Sequence, residues 1–243
     1  VENNSKSIKD VKYLIIANSG RPLAVSAKKA GFTVGVIDKF LDQETIKSSK
    51  FAFRAKKFNQ YSFNIGELEE IIKDYFLNST AIIGSGFETN PEYIDHIRKH
   101  IPVISNNSET IRNVKNPKLL MKILNDERMG FPSTVFDRSK LIDSKKFLVK
   151  KFGGFGGGHV FYESSYSNID SLLDNNFYYQ EYIKGEVYST VFLANGKTAN
   201  LIGFNRLLGS KQFIDLPFLY EGAVSVDIKN QKTLDNIRST VNK

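Results

Sequence analysis

The chain contains no cysteine among its 243 residues. Disulfide bonds and thiolate metal sites are therefore excluded, and the composition fits a reducing compartment, so we expect a cytoplasmic protein. Histidine is also scarce, with three residues in the chain. His96 and His100 have the i, i+4 spacing of a zinc-binding helix, but Ile97 stands where the zincin motif requires glutamate. We predict that both histidines lie on the solvated face of a helix.

Long apolar segments are missing as well. There is no run of about 18 apolar residues, as a membrane helix needs, and no succession of basic, apolar and small residues typical of a signal peptide. We therefore expect no membrane partner. The net charge is +8, from 34 lysines and arginines against 26 acids, and it favours an anionic ligand. The lysines are spread along the chain instead of forming a basic stripe with aromatics, which argues against a nucleic-acid partner.

The first part of the chain predicts alternating strands and helices. Two apolar runs, 12–17 and 33–37, are typical of strands buried on both faces, and a predicted helix over 23–30 separates them. This βαβ pattern indicates a parallel sheet. Further helices are predicted over 67–76 and from the Asn90-Pro91 cap to about 100, and further strands over 81–83 and 102–105. We predict an α/β fold that begins with a small doubly wound domain over residues 1–110.

Polar and glycine residues follow two of these predicted strands. Asp38 ends the second strand, where it either grips a ribose or caps a loop. We favour the cap, because no glycine fingerprint follows the first strand. Gly84-Ser85-Gly86 ends a later strand, and such carboxyl ends line ligand crevices in open sheets.

From about residue 108 the pattern changes. Asn116-Pro117 predicts the start of a helix over 118–129, which Gly130 ends. Strands are predicted over 146–152, 158–162, 177–183, 187–194, 199–204 and 212–215, with a short helix at 168–174 and another beginning near Thr233.

The stretch 147–160 carries the strongest functional signal. Phe147, Leu148 and Val149 predict a strand that ends in two lysines, and strand chemistry returns at Val160. Between them stand five glycines: Gly153, Gly154, Gly156, Gly157 and Gly158. A hairpin turn needs one or two glycines, so five indicate a flap whose backbone N–H groups close over phosphates. The alternative is a surface hairpin with solvated lysines. With few apolar anchors beyond Phe155, the flap is predicted to be mobile when no nucleotide is bound.

Two common phosphate-binding patterns do not fit. Gly196-Lys197-Thr198 imitates the end of a Walker motif, but Val191 stands where its first glycine belongs. The dinucleotide fingerprint fails because His159 occupies a glycine position and a strand follows instead of a helix. Protein kinases cover ATP with a glycine-rich hairpin, but the chain has no His-Arg-Asp or Asp-Phe-Gly sequence.

The ordered motifs resemble the ATP-grasp superfamily. They are a βαβ domain, Asn116-Pro-Lys118 opening a helix, Phe147-Leu-Val-Lys150 with its glycine flap, and Tyr179-Gln-Glu-Tyr-Ile-Lys-Gly-Glu186. Within the superfamily, residues 201–206 and 217–223 resemble the archaeal and methylotroph proteins called predicted ATP-dependent carboligases. The resemblance covers about residues 11–230. It implies an ATP-grasp fold, in which a small glycine-flap lobe (111–183) and a larger lobe (184–243) follow the first domain.

The resemblance implies a role for each motif residue around ATP. Lys118 would touch the α-phosphate, and Lys150 would bridge the α- and β-phosphates beneath the flap. Lys151 points to the opposite face of its strand by the period of two, so we assign it to solvent. Around the adenine base, Gln180 would accept from the amino group while the backbone of Glu181 and Ile183 pairs with the ring edge.

The remaining assignments concern the ribose, the transferred phosphate and the metal. Glu186 would bind the ribose hydroxyls, and Arg206 and Lys211 would face the phosphate that is transferred. The family's Mg²⁺ ligands lie on strands after the helix that begins near Thr233, and this chain stops inside that helix. The resemblance therefore implies an incomplete C-terminal lobe and leaves the metal ligands unknown, with Asp215, Glu221 and Asp227 as substitutes.

The family reaction activates a carboxylate as an acylphosphate, which an amine or related nucleophile then attacks. The resemblance thus implies an ATP- and Mg²⁺-dependent ligase with a small carboxylate and an amine as substrates, and a homodimer is left open. ATP-dependent carboxylation is an alternative within the same class. A nucleotide-binding module without catalysis is the alternative from another class, and a basic nucleic-acid-binding protein is the third.

Overall fold

The computed structural model describes residues 10–56, 62–165, 176–209 and 216–241. The chain divides into two compact units, Val1–Lys115 and Asn116–Lys243. The predicted helix at 168–174, the predicted strand at 212–215 and Lys211 lie outside the described residues. No helix in the described ranges is both long and apolar enough to cross a membrane.

The first unit is a parallel sheet with helices between its strands. Its elements are β1 (Tyr13–Ile16), α1 (Arg21–Lys29), β2 (Val34–Asp38), α2 (Gln43–Ser48), β3 (Phe51–Arg54), α3 (Ile65–Tyr75), β4 (Thr80–Ile83), α4 (Glu92–Arg98), β5 (Val103–Ile104) and α5 (Ser108–Lys115). The strand order is β3-β2-β1-β4-β5, and every neighbouring pair is parallel. The predicted doubly wound parallel sheet is confirmed.

Apolar side chains cover both faces of this sheet. All five residues of β2 are buried. One core cluster includes Leu14 and Ile16 of β1 with Leu68 and Ile72 of α3. A second cluster, on alternate strand residues, joins Ile15, Val34 and Val36 to Ala24 of α1. Because neighbouring residues of a strand point to opposite faces, each central strand contributes to both clusters.

Some short elements and helix ends differ from the sequence prediction. The elements α2, β3 and α5 were not predicted, and α1 begins at Arg21, so Pro22 belongs to the first helical turn and not to the preceding loop. Asn90 does not cap α4: the N-cap residue is Pro91, and the Asn90 side chain donates to Glu92 at 3.2 Å.

The predicted solvated position of the two histidines is wrong in part. His96 lies in α4 and His100 just beyond it, and both are half-buried. His96 Nδ1 is 3.4 Å and His100 Nε2 is 3.3 Å from the same carboxylate oxygen of Glu69 on α3. The i, i+4 spacing therefore serves a contact between two helices.

The second unit contains two antiparallel sheets. The helices in its described ranges are α6 (Pro117–Asp126) and α7 (Gln231–Val241), with 3-10 turns at Arg138–Lys140 and Glu163–Ser165. Its strands are β6 (Thr134–Val135), β7 (Phe147–Lys151), β8 (Val160–Tyr162), β9 (Phe177–Glu181), β10 (Tyr188–Ala194), β11 (Ala199–Leu208) and β12 (Gly222–Val226). One sheet has the order β6-β9-β7-β8 and the other β10-β11-β12.

The four-stranded sheet has a small apolar core on one face and a mixture of polar, apolar and aromatic side chains on the other. Phe147 and Val149 of β7 pack with Tyr179 of β9 in a small core on the first face. The register places Leu148 opposite Gln180 and Lys150 opposite Tyr178, so these four residues share the other face. Lys151 belongs to the core-side set, and its ammonium lies 6.0 Å from the ring centre of Phe177. The two lysines thus lie on opposite faces, as the period of two predicts, but the assignment of Lys151 to solvent is wrong, because its half-buried side chain lies against Phe177 on the core side.

Helix α6 begins as predicted but ends earlier. The Asn116 side chain accepts from the backbone N–H of Lys118 at 3.0 Å and of Leu119 at 3.3 Å. The helix ends at Asp126, and Arg128 adopts the left-handed conformation with φ of 55°. The prediction that Gly130 ends this helix is wrong, because the left-handed residue that closes it is two positions earlier.

Candidate functional site

The centre of the candidate site is the pair formed by Lys150 and Gln180. The Lys150 ammonium donates to Gln180 Oε1 at 2.6 Å across β7 and β9. Gln180 is buried, and Lys150 is half-buried. Burial lowers the pKa of the Lys150 amine, because taking the ammonium out of water disfavours its charged form. Because the Gln180 amide is neutral, it does not cancel the positive charge of the Lys150 ammonium, which is partly removed from water.

Gln180 is held in turn by Thr134, a residue that the sequence did not indicate. Gln180 Nε2 donates to Thr134 Oγ1 at 3.1 Å, and the Thr134 hydroxyl donates to the carbonyl of Pro132 at 2.9 Å. Thr134 is directly opposite Gln180 in the β6–β9 pairing. The sequence carries little signal for this contact, because β6 is two residues long and lies 46 residues from Gln180.

Lys118 reaches the same face of the sheet through an aromatic cluster. Its ammonium lies 5.0 Å from the ring centre of Phe136. Phe136 is 6.2 Å from the ring of Tyr178, which stands opposite Lys150. Phe152 completes the cluster at 5.3 Å from Tyr178, and burial raises the pKa of the Tyr178 hydroxyl. The two predicted phosphate-binding lysines therefore lie on one face, beside an aromatic surface.

The flap between β7 and β8 needs its glycines for two different reasons. Gly153, Gly156 and Gly157 have φ of 67°, 71° and 78°, a region that other residues rarely adopt. Gly154 is limited by a close contact instead, because a Cβ there would overlap the ring of His159 and that side chain would have to move. Gly158 meets neither condition: the nearest atom to its Cβ position is a Leu219 methyl at 3.6 Å.

The flap also has an anchor that the sequence did not indicate. The backbone N–H of Tyr220 donates to the carbonyl of Gly156 at 2.8 Å. A Cβ on Gly157 would overlap the carbonyl of Phe218. The Phe218 ring in turn lies 5.0 Å from the ring of Tyr162 and 6.2 Å from that of Tyr182. The flap is thus held by backbone contacts to the segment 218–220.

The predicted adenine-binding backbone follows β9. The N–H of Glu181 donates to the carbonyl of Ser133 at 2.8 Å, and its carboxylate pairs with Lys145 at 2.8 Å. The N–H of Tyr182 donates to the carbonyl of Lys146 at 2.8 Å. Ile183 lies in the connection to β10, with 61% of its surface exposed. Sheet pairing therefore fixes this segment up to Tyr182 and leaves Ile183 accessible to a ligand.

Glu186 and Arg206 were assigned separate roles, but the structure brings them together. Tyr188 stands opposite Arg206 in the β10–β11 pairing and donates its hydroxyl proton to Glu186 at 2.6 Å. Arg206 lies 3.5 Å from the same carboxylate. The tyrosine hydrogen bond, with a smaller contribution from Arg206, lowers the pKa of Glu186. A cavity of about 560 Å³ adjoins these residues and includes Glu221 in its lining.

The predicted residues thus form two groups. Lys118, Lys150, Gln180 and the flap belong to the four-stranded sheet, whereas Glu186 and Arg206 belong to β10–β12. Among the described residues, no hydrogen bond or ion pair joins Glu186 or Arg206 to either lysine.

Metal ligands do not converge within the described ranges. No three His, Asp or Glu side chains of those residues are arranged to hold a metal ion. Two of the proposed substitutes, Glu221 and Asp227, are exposed, and Asp215 lies outside the described residues. The described residues therefore do not by themselves provide the ligand set for the Mg²⁺ that the resemblance implies.

Asp38 in the first unit is occupied by structural hydrogen bonds. Its buried carboxylate accepts from the backbone N–H of Gly20 at 3.1 Å and of Leu41 at 2.7 Å. These bonds fix the loops after β1 and β2, in agreement with the capping role favoured over ribose binding.

Comparison of the whole fold with solved structures gives consistent neighbours. An N5-carboxyaminoimidazole synthetase from Staphylococcus aureus, complexed with ADP, matches with a TM-score of 0.66 at 17% identity over 98% of this chain and 63% of that one. An L-amino acid ligase from Bacillus licheniformis matches with a TM-score of 0.66 at 14% identity over 96% of this chain and 58% of that one. The chain thus spans less than two thirds of either neighbour.

A more distant likeness extends to a larger enzyme. Pyruvate carboxylase from Rhizobium etli matches with a TM-score of 0.59 at 13% identity, over 81% of this chain and 20% of that one. At these identities the neighbours establish the fold alone. No curated protein shows significant sequence similarity to the chain.

Sequence comparison identifies the family directly. The family model described as "ATP-grasp domain" matches residues 114–243, which is more than half of the chain. This range contains both antiparallel sheets, the flap, Lys150 and the Glu186–Arg206 pair. The chain belongs to the ATP-grasp family.

Proposed function

We propose that the protein is an ATP-dependent ligase that activates a carboxylate as an acylphosphate for attack by an amine. The observation that carries this proposal is the half-buried Lys150, whose ammonium is bonded to a neutral amide beside the glycine flap. A partly desolvated cation that has no anionic partner among the described residues favours an anionic ligand. The flap adds backbone N–H groups, and Lys118 adds a second positive charge on the same face, so a polyphosphate fits this surface.

Each residue then has a defined task around the nucleotide. Lys118 and Lys150 bind the phosphates, and the flap covers them and excludes water. Gln180 and the backbone of Glu181 and Ile183 bind adenine.

Glu186 binds the ribose, and Arg206 with Lys211 faces the transferred phosphate. In the first step a carboxylate oxygen attacks the γ-phosphorus and ADP leaves. In the second, the amine nitrogen attacks the acyl carbon, phosphate leaves, and the amine loses a proton. Phosphoryl transfer of this kind depends mainly on positioning and charge neutralisation, which are the contributions assigned to these side chains.

The structural neighbours support this reaction class without fixing the substrates. One is named as an L-amino acid ligase, another as a synthetase complexed with ADP, and a third as a carboxylase. Carboxylation is therefore the alternative within the class, as the resemblance to predicted ATP-dependent carboligases also implies. Nucleotide binding without turnover is the alternative outside it. Mg²⁺ remains part of the proposal, together with the carboxylate and amine substrates and a homodimer.

The proposal is tested by removing the Lys150 ammonium, with removal of the neighbouring Lys151 ammonium as the matched control. Lys150→Ala should weaken ATP binding about tenfold to a hundredfold, because a charge-assisted contact contributes roughly 1.5–3 kcal/mol. Lys151→Ala, one residue away on the opposite face, should bind ATP like the unchanged protein. Isothermal titration calorimetry measures both affinities. Equal ATP affinity in all three proteins would remove Lys150 from the site.

Turnover then separates the ligase from the alternatives. ADP release is measured with Mg²⁺ and a panel of amino acids and small carboxylic acids, with and without an amine acceptor. Release that requires both an acid and an amine supports the ligase. Release that requires bicarbonate supports carboxylation, and binding without release supports the non-catalytic module.

A further inference from the structure

The orientation of the Gln180 amide is determined by its two neighbours. An ammonium group has only donors, so Lys150 must be facing the amide oxygen of Gln180. The Thr134 hydroxyl has one proton, and it is used in the bond to the Pro132 carbonyl. Thr134 must therefore accept from Gln180, which places the amide nitrogen on its side. The two requirements are independent, and both give the same assignment of oxygen and nitrogen.

All three hydrogen bonds consequently run in one direction, from the Lys150 ammonium through Gln180 and Thr134 to the Pro132 carbonyl. Their lengths are 2.6, 3.1 and 2.9 Å. Aligned hydrogen bonds polarise one another and are strengthened. Without the Thr134 oxygen the amide is free to rotate, and rotation would direct its NH₂ group toward the ammonium.

This series of hydrogen bonds, which we call the relay, joins Lys150, Gln180, Thr134 and the Pro132 carbonyl and contains no acidic group. The pairing partners of Lys150 are Tyr178 of β9 and Val160 of β8, and its hydrogen-bond partner is Gln180. Lys118 is the other charged group tied to this face, through Phe136 and Tyr178. Within the described part of the chain, Lys150 is therefore oriented by a hydrogen bond and not by an ion pair, so its charge stays available for a ligand.

We propose that Thr134 is a positioning residue of the nucleotide site, which holds the Gln180 amide so that Lys150 presents its ammonium to an anionic ligand. The inference rests on the proposed function for the identity of that ligand. The hydrogen-bonded arrangement of Lys150, Gln180 and Thr134 does not depend on the proposed function. Thr134 acts through Gln180 and does not touch the phosphates.

The test uses variants that separate the hydroxyl from the shape of the side chain. Thr134→Val keeps the shape and removes the acceptor, whereas Thr134→Ser keeps the acceptor and removes the methyl group. ATP affinity is measured by calorimetry. The pKa of the Lys150 ammonium is measured by ¹⁵N NMR of lysine-labelled full chain, with Lys150→Arg to assign the resonance. Thr134→Ala replaces the valine variant if the latter does not fold.

The valine variant should bind ATP roughly threefold to tenfold more weakly, as expected for the loss of one hydrogen bond. Its Lys150 pKa should fall, because the ammonium loses a fixed acceptor and the charged form becomes less stable. The serine variant should match the unchanged protein in both measurements. A merely structural role for Thr134 would lower the melting temperature and leave the Lys150 pKa unchanged.

Two results would overturn the inference. One is an unchanged Lys150 pKa and ATP affinity in the valine or alanine variant. The other is an equal loss in the valine and serine variants, which would assign the effect to shape. Failure of the proposed function looks different: the unchanged protein would bind no adenine nucleotide, while the Lys150 pKa still fell in the valine variant and was restored by serine.

Discussion

Adjacent glycines of the flap differ in what a methyl group would meet. Gly157 has φ of 78° and lies against the carbonyl of Phe218. We expect Gly157→Ala to destabilise the protein by more than about 1–2 kcal/mol, the cost of a left-handed alanine, because the Phe218 backbone must also move. Urea unfolding measures the loss, and calorimetry should show weaker ATP binding.

Two other glycines serve as controls for this prediction. Gly156 has φ of 71° but nothing within 4 Å of its Cβ position, so alanine there should incur only the conformational cost. Gly158 has ordinary space around it, and Gly158→Ala should change stability by no more than about 0.5 kcal/mol. If the variants at 156 and 157 are equally stable, the contact with Phe218 is not part of the folded protein.

The period of two sufficed to predict that Lys150 and Lys151 diverge. The same sequence did not predict the partners of Lys150, because Thr134 comes from a two-residue strand without a periodic pattern. Similarly, Glu186 and Arg206 lie 20 residues apart, and their contact depends on the β10–β11 register. Side-chain direction is a local property, whereas the partner depends on strand pairing.

Between helices α3 and α4, one carboxylate joins two histidines. Burial raises the pKa of Glu69, but hydrogen bonds from His100 and His96 outweigh this effect, so the pKa lies below its ordinary value of 4.5. A carboxyl group with a lowered pKa stabilises the folded state above its ordinary pKa. That stabilisation disappears as the pH falls through the folded-state pKa.

We therefore expect Glu69→Gln to reduce the free energy of unfolding near neutral pH by up to about 1 kcal/mol. The difference from the unchanged protein should shrink as the pH falls below the ordinary glutamate value. Glu70→Gln, at an exposed position on the same helix, is the matched control and should have little effect. Urea unfolding at a series of pH values measures both variants. A stability difference that grows toward low pH would contradict the assigned sign.

Among the strands and helices, the ones that the sequence predicted were those with long apolar patterns. The strands β1 and β2 were predicted because they are buried on both faces and contain almost only apolar residues. Strand β3 was missed because its four residues are half-buried or exposed. Helices α2 and α5 have six and eight residues with few buried side chains, so their patterns are too short to separate from loops.

The first compact unit has the features of an independently folding domain. Its sheet is covered on both faces by helices of the same unit, and every described residue of its two buried clusters lies before position 116. We expect a fragment of residues 1–115 to fold cooperatively with a stability of roughly 5–15 kcal/mol. Circular dichroism during urea unfolding gives this value.

The corresponding full chain is the control for the fragment. The dispersed amide resonances of the fragment should reappear at the same positions in the ¹H–¹⁵N correlation spectrum of the full chain. A fragment with the narrow amide dispersion of an unfolded chain would show that the unit needs the rest of the protein to fold.

The bond between the flap and segment 218–220 joins two main-chain groups, the N–H of Tyr220 and the carbonyl of Gly156. Every amino acid carries that carbonyl, and every one except proline carries that N–H. Side-chain replacement at position 220 therefore leaves the donor in place, and proline alone removes it. The contact that holds the flap against this segment is in this way independent of the residue type at 220, as long as that residue is not proline.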